Sequence, residues 1–93
     1  MTIDFLQIEH LLRNSKTMEA LEMLEECASQ ANPLEMAQIC YLQGNAYRQL
    51  GNWRKAIGNY NLALQYDPNS PAREALKNAN EILDFFNHDL YNP

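Results

Sequence analysis

Apolar residues recur at three- and four-residue intervals along almost the whole chain, and no stretch alternates with the two-residue period of a strand. Turn-forming residues interrupt this pattern at Asn14-Ser15, Asn32-Pro33, Gly51-Asn52 and Asp67-Pro68-Asn69-Ser70-Pro71. Between the breaks the spacing predicts five helices, over residues 2–13, 16–30, 33–50, 53–66 and 71–88, followed by a short tail at 89–93. Two of the predicted starts carry chemical signals. Asn32 precedes Pro33 and stands three residues before Glu35, the arrangement of a capping box with proline at the first helical position. Ser70 precedes Pro71 in the same manner. The chain has no Val and only three Gly, which argues further against a sheet. Connectors this short make consecutive helices pack as antiparallel hairpins. The expectation is a single all-α domain over residues 1–93.

The polar and apolar faces differ from helix to helix. In the last one, Ala72, Ala75, Leu76, Ala79, Ile82, Leu83, Phe86 and Leu90 fall in one arc of roughly 120°. Arg73, Lys77, Asn80, Glu81, Asp84 and His88 take the other side, so this helix suits the end of a stack. The first helix is apolar on two sides, with Phe5, Ile8, Leu11 and Leu12 in one arc and Ile3 and Leu6 across from it.

A shift of 36 residues places Ala20 on Ala56, Leu21 on Ile57, Leu24 on Tyr60, Cys27 on Ala63 and Ala28 on Leu64. The chain therefore holds two copies of one helical hairpin, a degenerate first over residues 2–32 and a better second over 37–70. The second copy reads Gly44-x-x-Tyr47, Gly51-Asn52-Trp53, Ala56-Ile57-x-x-Tyr60-x-x-Ala63-Leu64 and Asp67-Pro68. That run resembles the tetratricopeptide repeat, whose pattern is W-x-x-L-G-x-x-Y, then A-x-x-x-F, then P. Cys40 and Gln43 depart from the large apolar residue and the Leu of that pattern, and Ile8 and Leu11 stand where Gly44 and Tyr47 stand in the second copy. Residues 71–88 look like the family's solvating end helix, and Ser70 through Pro93 resembles the ends of small stand-alone bacterial members. The resemblance implies a right-handed α-solenoid of two hairpins with a C-terminal capping helix, curved so that the first helix of each pair lines a concave surface. A mid-helix glycine costs about 1 kcal/mol relative to Ala, so Gly44 is expected where a neighbouring helix comes close. Ala56 and Ala63 would permit that approach, with Tyr47 and Tyr60 filling wider gaps beside them.

Charge removes several function classes. Twelve acidic residues against seven basic give a net charge of −5, a surface that repels phosphate backbones and anionic lipid. No nucleic-acid or membrane partner is expected, and no apolar run approaches the length of a membrane span. The amino-terminal residues lack the features of a targeting signal, which points to the cytoplasm. Cys27 and Cys40 are read as core thiols rather than a disulfide.

Catalytic equipment is sparse: the two thiols lie on apolar helical faces, and no phosphate loop, nucleophile elbow or zinc signature occurs. Glu81, Asp84 and His88 share one helical face, but one helix supplies too little convergence for a metal, and none is expected. Glu19, Glu22, Glu25 and Glu26 read as a solvated face. Neither enzyme activity nor a cofactor is expected.

Binding is better supported. Gln38, Tyr41, Asn45 and Arg48 form one stripe on the third helix, and with Glu9 they are the candidate site for a peptide or protein segment. Some family members grip a partner's terminal carboxylate with a Lys/Asn/Arg clamp. Only Asn45 resembles that clamp, because Phe5, Glu9, Ala75 and Ala79 occupy its other positions. A second expectation is a homodimer, with Phe85, Tyr91 and the first helix as contacts.

Overall fold

Local capping chemistry sets where each helix begins. The computed structural model describes residues 2–91, with side chains through Phe85, and contains α1 (Phe5–Arg13), α2 (Thr17–Ala28), α3 (Pro33–Gln49), α4 (Trp53–Tyr66) and α5 (Ala72–Tyr91). No strand occurs among the described residues. Helix α1 starts at Phe5 rather than at residue 2 because the Asp4 carboxylate accepts the Gln7 backbone N–H at 3.1 Å. Asn32 and Glu35 form the expected capping box on α3, with the Glu35 N–H donating to Asn32 Oδ1 at 2.8 Å and the Asn32 N–H to Glu35 Oε1 at 3.0 Å. Ser70 is buried, and its Oγ accepts the Ala72 N–H at 3.1 Å at the start of α5. Helix α5 continues to Tyr91, so residues 89–91, expected in the tail, are helical. The side chains of Phe86, His88, Leu90 and Tyr91 lie outside the described residues.

The repeat is visible in the backbone as well as the sequence. After α3, Gly51 adopts φ 75°, its N–H bonds the Arg48 carbonyl at 3.0 Å, and the Asn52 N–H bonds the Tyr47 carbonyl at 2.8 Å. After α1, the corresponding Ser15 adopts φ 60°, its N–H bonds the Leu12 carbonyl at 3.1 Å, and the Lys16 N–H bonds the Leu11 carbonyl at 2.9 Å. Both are Schellman ends with one residue in the left-handed region. Only the second has the glycine that makes this conformation free of strain. Asn52 then caps α4 by accepting the Lys55 N–H at 3.2 Å, whereas Lys16 gives α2 no side-chain cap.

Two apolar clusters share α3. Ile8, Leu12, Ala20 and Leu24 close on Ile39, Leu42 and Ala46. Ala56, Tyr60, Ala63, Ala72 and Ala79 close on Cys40. Helix α3 is thus buried on two sides, and Met36 and Tyr41 touch both clusters. Helix α4 comes close at Gly44 as expected, but through a large side chain rather than at Ala56 and Ala63. It is the ring of Tyr60, the largest fully buried side chain, which lies directly over Gly44. A Cβ on Gly44 would stand 2.5 Å from Tyr60 Cδ1, well inside van der Waals contact. A polar link joins the two hairpins: Gln49 Nε2 donates to the Leu12 carbonyl at 2.9 Å, and its Oε1 accepts from the Thr17 hydroxyl at 2.7 Å. The result is an elongated slab, 54 × 28 × 17 Å.

The weaker first turn gives a prediction. Ser15→Gly with Lys16→Asn copies the Gly51-Asn52 turn into the first hairpin and raises unfolding free energy by about 1–2 kcal/mol. A urea midpoint that rises without a change in slope is the expected readout.

Candidate functional site

The two-sided burial of α3 decides what its remaining face can do. Ile39, Leu42 and Ala46 turn into one cluster and Cys40 into the other, so Gln38, Tyr41, Asn45 and Arg48 emerge along the seam between them. That seam opens into three adjoining recesses. One, of about 390 Å³, lies between α1 and α3 and is lined by Glu9, Arg13, Tyr41, Asn45 and Arg48 among others. A second, of about 410 Å³, lies at the start of α3, where Glu9, Leu34, Gln38 and Tyr41 meet Asp67 and Pro71 of the α4–α5 link. A third, of about 520 Å³, lies between α3 and α5 against Arg48, Asn78, Glu81, Ile82 and Phe85. Glu9 and Tyr41 belong to the first two and Arg48 to the first and third, so the three recesses adjoin along α3. Glu9, Gln38, Tyr41, Asn45 and Arg48 each line at least one of them.

Their surroundings divide them into two kinds. The Tyr60 hydroxyl donates to Asn45 Oδ1 at 2.6 Å, and the Tyr41 ring sits 6.1 Å from the Tyr60 ring at a 40° tilt. Asn45 and Tyr41 are therefore part of the packing as well as the groove floor, and truncating either disturbs Tyr60. Gln38 and Arg48 are exposed and Glu9 half-buried, with no such structural duty. Burial pushes the Tyr60 phenol above its ordinary value of 10.0; the positive charge of Arg48 opposes this and Tyr41 adds to it. Burial likewise raises the Cys40 thiol, while Cys27 is half-buried and both are free.

Arg13, Ile82 and Asp67 are among the lining residues that were missed in the sequence. Arg13 follows Glu9 by one helical turn, a spacing that puts both on one face and was available as a signal. Ile82 was assigned to the core stripe of α5 but is 39% exposed at the groove. Asp67 marks the end of a repeat in the sequence, and nothing there shows that the link folds back over α3. Phe85, 69% exposed, stands beside Arg48 at the groove rather than apart from it. Tyr91, its expected companion in self-association, lies outside the described side chains. Among the described residues no three His, Cys, Asp or Glu side chains gather as a metal site, and no helix is long and apolar enough to cross a membrane.

Paired helices on a shared central helix, with a groove along the first member of each pair, define a small all-α helical-repeat protein. The tetratricopeptide repeat signature matches residues 37–70, the span of the second hairpin. The whole fold superposes with a TM-score of 0.87 on the solution NMR structure of the Bacteroides fragilis protein BF1650. The two sequences are 40% identical, over 98% of this chain and 91% of that one. No curated protein matches. The chain belongs to the tetratricopeptide repeat family, whose repeats generally mediate protein–protein interactions.

Tyr60 makes stability sensitive to alkali. The folded chain holds the phenol proton more tightly than the unfolded one, so this contribution is complete below about pH 10 and is lost as pH rises through the higher folded value. Melting temperature is expected to fall above pH 10, and to fall less steeply in Tyr60→Phe.

Proposed function

We propose that the chain is a cytoplasmic adaptor that binds a short peptide or protein segment along the groove formed by α1, α3 and α5. The observation that carries this reading is that Glu9, Gln38, Tyr41, Asn45 and Arg48, from two helices, line two adjoining recesses. Aromatic surface, an amide, and charges of both signs in a concave site suit main-chain and side-chain recognition together. Two free thiols fit a reducing compartment. With three lining helices at roughly 8–10 Å spacing the groove holds about six extended residues, so affinity from it alone is modest.

The test keeps the packing residues intact. A Glu9→Ala, Gln38→Ala, Arg48→Ala variant leaves Tyr41, Asn45 and Tyr60 in place and is expected to fold as the native chain does by circular dichroism. A partner captured from lysate by the native protein is expected to be retained at least tenfold less by the variant. Equal retention by both removes the groove from the account. A second reading, a structural homodimer through α1 and α5, is favoured by Leu6, 75% exposed on α1, and Phe85 on α5. Light scattering over a concentration series separates the two: a constant monomer mass supports the adaptor, and a mass rising to twice that value supports the dimer.

A further inference from the structure

The recess at the start of α3 differs from its two neighbours in what lines it. Leu34, Ala37, Tyr41 and Pro71 give it apolar walls, and its charged lining residues are Glu9 and Asp67, with no Lys or Arg. Arginine lines both neighbouring recesses. Glu9 also faces the α1–α3 recess together with Arg13 and Arg48, so of these three recesses Asp67 lines this one alone. Asp67 is held in place from three sides. Its N–H donates to the Ala63 carbonyl at 2.8 Å, its carbonyl accepts the Ser70 N–H at 3.0 Å, and its Oδ1 accepts the Asn69 N–H at 3.0 Å. The other carboxylate oxygen has no hydrogen-bond partner among the described residues. Arg73, the nearest cation in sequence, donates instead to the Pro68 carbonyl at 2.8 Å. Asp67 also closes α4, whose last turn carries no basic residue, so the negative end of that helix adds to its charge. Helices α3 and α5 begin at the same recess, and each start contributes about half a positive charge. Two full carboxylates and about half a negative charge from α4 outweigh them. Among the described residues no third His, Cys, Asp or Glu joins the two as a metal site.

Resting on the groove reading above, we propose that this recess takes one Lys or Arg side chain of the bound segment. The methylene stem lies against Leu34, Ala37 and Pro71, and the cationic head meets the open oxygen of Asp67, with Glu9 as a second carboxylate. The Tyr41 ring, packed against Tyr60, offers the cation an aromatic face. Both carboxylates are half-buried, so the attraction is screened less than that of a pair on open surface. A net charge of −5 draws cationic segments toward the molecule before they dock. A neutral side chain of the same length gains the stem contact alone, and an acidic one is repelled.

A randomised heptapeptide library selected on the native chain tests this, with two variants checked for folding by circular dichroism. Asp67→Asn keeps Oδ1 as the acceptor for the Asn69 N–H and removes only the charge. Gln38→Trp fills the recess and leaves both carboxylates in place. The native chain is expected to enrich peptides with Lys or Arg at one position, and Asp67→Asn to lose that preference. A selected peptide, synthesised alone, is expected to bind Asp67→Asn about tenfold more weakly than the native chain. With norleucine in place of its basic residue it is expected to bind the two equally, because the stem remains and the charge does not. Gln38→Trp is expected to weaken every selected peptide. Peptides that carry no basic residue, or whose basic residue is indifferent to Asp67→Asn, overturn the cationic pocket; if Gln38→Trp still weakens them, the groove reading stands. Native-strength binding by Gln38→Trp overturns the pocket whatever Asp67→Asn does. If nothing is enriched, or neither variant alters binding, pocket and groove both fall.

Discussion

The contact between the Tyr60 ring and Gly44 is the constraint on which the rest of the molecule depends. A phenol ring with no exposed surface rests where any other residue on α3 would place a side chain. Overpacking at such a site typically costs about 1–3 kcal/mol, and this ring has little freedom to retreat because its hydroxyl is fixed to Asn45. The ring therefore sets both the distance and the rotation between α3 and α4. Since α3 also closes the first cluster through Ile39, Leu42 and Ala46, the same contact fixes how the two hairpins meet. It fixes the groove too, because Asn45 and Tyr41 meet Tyr60 from the groove side. Core and groove are two faces of one packing arrangement.

The two hairpins use that arrangement unequally. The second holds its turn with Gly51 and Asn52, while the first manages with Ser15 in the left-handed region and an uncapped Lys16. Ile8 stands where Gly44 stands in the second copy and Leu24 where Tyr60 stands, and both are fully buried in the first cluster. Gln49 offsets some of this weakness by tying the end of α1 to the start of α2 and to α3 through one amide. A degenerate repeat is stable here because a neighbour supplies both apolar cover and hydrogen bonds that it cannot supply itself.

Most of the fold was legible because periodicity and punctuation report local chemistry. The capping box at Asn32 and Glu35, the Ser70 start, and the 36-residue shift each correspond to an observed interaction. What escaped was non-local. The role of Gly44 was read as room for a helix, because sequence does not show which side chain reaches across; the structure shows Tyr60. The stripe of Gln38, Tyr41, Asn45 and Arg48 could be seen in its spacing, but the engagement of Asn45 by a residue fifteen positions later could not. Ile82 fitted the apolar arc of α5 and still faces the groove, since the arc is wider than the surface available to cover it. Arg13 and Asp67 enter the site only through the stacking of separate hairpins.

The most direct test of this account is the effect of Gly44→Ala measured in two backgrounds by urea unfolding. With Tyr60 present the substitution forces a methyl into the ring, and the account predicts a loss of about 1–3 kcal/mol. With Tyr60→Leu the ring is gone, only the better helix propensity of Ala remains, and the same substitution should stabilise by up to about 1 kcal/mol. A change of the same sign and size in both backgrounds would contradict the claim that Tyr60 on Gly44 organises the structure.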